Sequence, residues 1–141
     1  MFNFSYECQR EGNLVKFRIT GFMPYQKEKI ENLKEEIIKE IKAQEEKKIP
    51  YKILFDLRGL KVLDPRVGEA LHAINKVVYE SSAVKVGTVL DSVIAKLQQL
   101  RVANEYPMDN ALIFSDYDKC IKWLNDEIDL QLDPVSKKFG A

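Results

Sequence analysis

Three aspartates and two arginines stand where this chain could do chemistry. Asp56 comes near the end of the apolar run Tyr51-Lys52-Ile53-Leu54-Phe55-Asp56-Leu57, Asp64 lies in the loop beyond it, and Asp91 follows a second run, Val84 to Leu90. In open α/β sheets, ligands gather at the carboxyl ends of the strands. Three acids at such an edge could hold Mg²⁺. Capping and loop hydrogen bonding are the plainer roles. Asp64 precedes Pro65, and an Asp N-cap followed by Pro at the first helical position is a strong helix start. Arg58 and Arg66 would make the edge cationic enough for an anion, or would pair with the acids. Ion pairing is the expectation, and no metal or cofactor is expected.

The remaining reactive residues offer less. His72 is the single histidine and falls between Leu71 and Ala73, off the apolar stripe of its segment. An exposed or partly exposed helix residue is expected, and no second histidine is present to build a metal site or a proton shuttle. Cys8 and Cys120 are far apart, with no CxxC and no Cys/His cluster, which argues against structural zinc. Two reduced, partly buried thiols are expected, with a disulfide as the alternative. No GxSxG, GxGxxG or P-loop pattern occurs. Nothing here predicts an enzyme.

These residues are positioned by an alternating series of elements. Phe2, Phe4, Tyr6 and Cys8 alternate with polar neighbours, as do Val15, Phe17 and Ile19, and Glu11-Gly12-Asn13 lies between. The pattern predicts an antiparallel hairpin with one wet face, its second strand ending at Gly21. Pro24 suits the first turn of a helix. Ile30, Leu33, Ile37 and Ile41 then recur at helical spacing, with Ile38 widening the stripe, and Pro50 stops the helix. Tyr51 to Leu57 reads as a buried parallel strand. Asp64-Pro65 opens a second helix with Val67, Ala70, Leu71, Ile74, Val77 and Val78 inward. Val84 to Leu90 is the next strand, in which Gly87 marks a bulge or a close approach, helix packing being favoured. Asp91 or Ser92 caps a third helix carrying Val93, Leu97 and Leu100. Ala111 to Phe114 is a last strand. Ser115 caps a fourth helix with Asp118 as capping-box acid and Tyr117, Ile121, Leu124 and Ile128 inward.

The predicted class is α/β in the order β-β-α-β-α-β-α-β-α, a largely parallel sheet with an N-terminal hairpin and four helices. One domain is expected over residues 1–128, with 129–141 as a tail. The 141 residues suit one core, and acidic and basic side chains number 22 each. Zero net charge argues against nucleic acid as a partner. No apolar run is long enough to span a bilayer, and Met1-Phe2-Asn3-Phe4 lacks a signal-peptide pattern, so a cytoplasmic protein is expected.

Asp56-Leu57-Arg58-Gly59-Leu60 followed by Asp64-Pro65 resembles the STAS domain family, which includes bacterial anti-sigma-factor antagonists. Members carry a strand ending in an Asp-Leu-Ser-Gly-like motif and an Asp-Ser-Ser-Gly-like helix start, and Asp56, Leu57, Gly59 and Asp64 match in type and spacing. Ile113-Phe114-Ser115-Asp116 with Cys120 and Trp123-Leu124 is similar to the C-terminal pattern of the SpoIIAA-like branch. That branch is akin in structure to the antagonists and to CRAL-TRIO lipid-binding domains. The resemblance implies a non-catalytic regulatory module acting through protein contacts, at Arg58, Asp64, Arg66 and Gly68. The alternative it implies is a small hydrophobic-ligand or lipid-binding protein. The apolar loop Phe22-Met23-Pro24-Tyr25 packs as a hydrophobic staple before its helix or is a candidate contact or ligand surface for either reading. A homodimer is also left open. One departure stands out: the antagonists are phosphorylated on a Ser at the second helix start, whereas this chain has Pro65 and Arg66 there, which accept no phosphate.

Overall fold

The computed structural model describes residues 4–23, 26–62, 66–92 and 105–128. The hairpin forms as its alternation predicts. β1 (Phe4–Glu11) and β2 (Leu14–Met23) pair antiparallel in unbroken register, and Gly12 takes φ +61 in the two-residue loop between them. β2 does not end at Gly21. It runs on to Met23 because a short strand absent from the sequence expectation, β4 (Leu60–Val62), pairs parallel with Gly21 to Met23. The earlier part of β2, Leu14 to Arg18, pairs parallel with β3 (Lys52–Asp56). β5 (Lys85–Val89) and β6 (Ala111–Phe114) complete the sheet in the order β1-β2-β3-β5-β6.

Helices cover both faces. α1 (Lys27–Lys47) and α2 (Val67–Glu80) lie on one, over Val15, Phe17, Ile19, Ile53, Phe55 and Val86. α3 (Tyr117–Leu124) lies on the other, with Leu14, Leu54, Val89, Leu112 and Phe114. Adjacent strand residues alternate between the two clusters, as the period of a strand requires. Gly87 faces α3: a Cβ built there would lie 2.5 Å from Cys120 Sγ, so helix-to-strand packing accounts for this glycine.

Three helices are present among the described residues. The expected third helix and its residues Val93, Leu97 and Leu100 lie outside them, as do Pro24 and residues 129–141. α1 stops before Pro50. Lys48 takes φ 54 and its N–H bonds to the Glu45 carbonyl, a left-handed C-terminal turn. Ile38 is half-buried, whereas Glu40 and Gln44 face inward, because α1 passes over β1 and Arg10 reaches Glu40. Regular α2 begins at Val67, preceded by Arg66. The cap of α3 is Asp116 rather than Ser115: its carboxylate accepts from Lys119 N at 3.2 Å. Its stripe shifts accordingly, with Cys120, Trp123 and Leu124 fully inward and Tyr117, Ile121 and Ile128 half-buried. The thiols are unlike each other, and the expectation that both are partly buried fails for each. Cys8 is exposed on the edge strand, and Cys120 is fully buried under β5.

Candidate functional site

The carboxyl end of β3 is built around one buried acid. Asp56, 4% exposed, ends the strand with its side chain on the α3 face. Two guanidinium groups share its carboxylate. Arg58 gives Nε to Oδ1 and Nη2 to Oδ2, each at 2.8 Å, a bidentate pair, and its own backbone N–H reaches Oδ1 at 3.3 Å. Arg18, beside Asp56 in the β2–β3 register, gives Nη1 to Oδ2 at 2.8 Å. Burial pushes the Asp56 carboxyl up, but the Arg58 hydrogen bonds and the two cationic charges outweigh burial and hold it below the ordinary carboxylate value. The two arginines remain well exposed, at 38% for the Arg58 side chain and 47% for Arg18.

The turn that carries Arg58 is tied down on all sides. Leu57 N donates to the Val89 carbonyl at 3.0 Å and Leu60 N to the Leu57 carbonyl at 3.2 Å. Gly59 N donates to Asp91 Oδ2 at 2.9 Å, and the Gly59 carbonyl accepts from Gly21 N at 3.2 Å. Gly59 takes φ +78, and a Cβ there would lie 2.8 Å from Thr20 Oγ1, so this position requires glycine. Asp91, read from the sequence as a possible helix cap, here holds the neighbouring turn. The Arg58 guanidinium lies over the Tyr117 ring at 4.5 Å, with Lys16 Nζ on the same ring at 6.0 Å.

The sequence therefore identified Asp56 and Arg58 correctly as edge residues and their pairing as the plain account. It missed Arg18 and Tyr117. Arg18 was legible only as a wet-face residue of β2, because strand partners cannot be read from one chain. Phe22, the exposed member of the apolar loop at 41%, sits beside Lys61 in the β2–β4 register and so at this same edge. Arg66 is exposed at the opening of α2. Asp64, Tyr25 and the side chain of Met23 lie outside the described residues, as do the surroundings of Gly68.

Away from this edge, His72 is half-buried on α2 as expected. Its Nδ1 lies 3.0 Å from Glu105 Oε2 and its Nε2 2.7 Å from the Tyr106 hydroxyl, with the Tyr106 ring 5.0 Å away. Among the described residues no cluster of three His, Cys, Asp or Glu side chains could hold a metal ion, and no helix is long and apolar enough to cross a membrane.

The fold has parallels in solved structures. An anti-sigma factor antagonist from Mycobacterium paratuberculosis superposes with a TM-score of 0.57 at 12% identity, over 88% of this chain and 96% of its own. An uncharacterised protein with a SpoIIAA-like fold from Shewanella loihica PV-4 superposes with a TM-score of 0.57 at 17% identity, over 88% of this chain and 95% of its own. The domain has the SpoIIAA-like, or STAS, fold. No family model and no curated protein matches the chain. In this STAS-like domain the Asp-Leu-Arg-Gly segment, Asp56 to Gly59, forms the pinned turn at the end of β3.

Proposed function

We propose that this STAS-like domain is a non-catalytic regulatory module that binds a protein partner through the carboxyl edge of its sheet. The observation that carries this reading is the state of Arg58. Its guanidinium is fixed by a bidentate bond to buried Asp56 and by the Tyr117 ring, yet its side chain is 38% exposed. A charged side chain held in one orientation before binding loses little freedom on contact. Arginine and aromatic residues are the types that dominate binding energy at protein interfaces. Tyr117 supplies an aromatic ring against it, exposed Phe22 lies on the same edge, and exposed Arg66 opens the next helix. The nearby fold relative described as an anti-sigma factor antagonist supports a regulatory role by analogy of fold. The exposure of Phe22 supports protein contact over enclosure of a lipid.

The test is site-specific photo-crosslinking in the source cells. A photoreactive residue at Phe22 should capture one discrete protein, and the same residue at Lys42, on the outer face of α1, should not. Arg58→Glu should abolish the capture. Capture that is equal from both positions, or unaffected by Arg58→Glu, would refute the assignment of this edge.

A further inference from the structure

β1 forms one edge of the sheet: β2 covers one of its sides, and among the described residues no strand covers the other. Edge strands are usually kept from pairing with other chains by being short, by bulges, or by Pro and charged side chains, Lys above all. β1 is eight residues long without a bulge, and of its three charges Arg10 is already paired with Glu40. It runs from Phe4 to Glu11 in unbroken register with β2 and contains neither Pro nor Lys. The hairpin also fixes which groups face outward. Its two-residue loop closes on the pair Glu11 and Leu14. Ser5, Glu7, Gln9 and Glu11 thus bond to β2, while Phe4, Tyr6, Cys8 and Arg10 turn their N–H and C=O groups to the open side.

We infer that this edge pairs antiparallel with the same strand of a second copy, about a two-fold axis through Cys8, joining two sheets into one. Symmetry and charge favour that register. A two-fold perpendicular to a continuous sheet keeps each face on its own side, so facing residues share parity and the axis passes through a residue. An axis through Glu7 sets that carboxylate against its own copy. An axis through Gln9 sets Glu7 against Glu11 twice, and like charges directly opposite are destabilising. The axis through Cys8 pairs the whole run from Ser5 to Glu11: Ser5 with Glu11, Tyr6 with Arg10, Glu7 with Gln9. It brings the outward-bonding residues Tyr6, Cys8 and Arg10 into hydrogen-bonded pairs. On the α1 face, Tyr6 then meets a guanidinium that Glu40 already holds in place. The exposed Cys8 at the axis is small enough to meet its counterpart.

Sedimentation velocity of the full chain over a concentration series reads the association directly. The expected result is a monomer–dimer exchange, because the pairing is made of main-chain bonds along one strand. Cys8→Lys sets two ammonium groups against each other on the axis, and Gln9→Glu sets a second carboxylate against Glu7 on both sides of it. Each should weaken the dimer by roughly fivefold or more, with the melting temperature of the monomer unchanged. A short bismaleimide should link two copies through Cys8 alone, because Cys120 is fully buried with its thiol pushed up to about 12. The Cys8 amide should gain protection from hydrogen exchange as concentration rises. A monomer at every concentration overturns the inference, and so does a dimer that both variants leave intact or that yields no Cys8-to-Cys8 link. Cys8 amide protection that is independent of concentration also overturns it, since another segment of the same chain would then occupy the edge.

Discussion

Filling the space above Gly87 should destabilise the domain, and emptying the space opposite should undo the damage. A methyl at Gly87 would lie 2.5 Å from Cys120 Sγ, with Leu124 Cδ1 next at 3.5 Å. Ordinary contact between such atoms needs roughly 3.5–4 Å, so α3 would have to retreat by about 1 Å. Cys120, Trp123 and Leu124 are all buried against the sheet and leave little slack. Overpacking of this kind costs about 1–3 kcal/mol. Cys120→Ala alone removes a buried sulfur and should cost on the order of 1 kcal/mol. In that background the obstacle is gone and the next neighbour, Leu124, is at normal contact. The double variant Gly87→Ala with Cys120→Ala should therefore be about as stable as Cys120→Ala alone. The coupling between the two sites should be about 1–3 kcal/mol in favour of the pair. Urea unfolding followed by the fluorescence of the single tryptophan, buried Trp123, measures all four variants. A cost of Gly87→Ala that is the same in both backgrounds would refute the packing account of this glycine.

Other perturbations test the edge and the caps. Asp56→Asn should destabilise by about 1.5–3 kcal/mol at neutral pH, the range for hydrogen bonds to charged groups. Because the folded Asp56 carboxyl is held below its ordinary value, its contribution is complete above the unfolded carboxylate pKa of about 3.9 and is lost as pH falls through the folded one. Thermal melts on an acid series should thus fall more steeply for wild type than for Asp56→Asn, and parallel curves would count against the ion pairs. Asp116→Ala should cost about 1 kcal/mol in the same denaturation assay, the usual value of a lost N-cap, while Ser115→Ala should cost less. Treatment with an anti-sigma-factor kinase should leave residues 58 to 68 unmodified on peptide mapping, because this stretch contains no Ser, Thr or Tyr.

How much of this was legible in the sequence depended on the range of the interaction. Alternation in Val15, Phe17 and Ile19 and helical spacing in Ile30, Leu33, Ile37 and Ile41 are local, and they located the hairpin and α1 correctly. The stripe of α2 held as well: Val67, Ala70, Ile74 and Val78 are buried, with Leu71 and Val77 packed against the same core. β4 was missed because Leu60 to Val62 is too short to show a period and is a strand only through β2. The buried Glu40 was missed because its partner, Arg10, is on another element. The cap of α3 was placed one residue early because Ser115 and Asp116 are both good caps, and only the backbone decides between them. At the edge, Asp56 and Arg58 were found by the company they keep in sequence. Arg18 and Tyr117 were not, since both arrive from strands and helices that the motif does not contain.

The sharing of β2 between β3 and β4 bears on the order in which the molecule assembles. The β1–β2 hairpin is local and can form within microseconds. The pairing of Leu14 to Arg18 with Lys52 to Asp56 must first close a loop that contains all of α1. Once it is closed, only Leu57 to Gly59 separate Asp56 from Leu60, so β4 reaches Gly21 with almost no further loss of chain freedom. The Arg58 turn therefore closes late, and Leu60 joins the buried core cluster as it does. By the same connectivity it can detach first, releasing β4 from β2 while β3 stays paired on both sides. The edge proposed to meet a partner thus hangs on a short strand whose release would leave the β2–β3–β5 pairing in place.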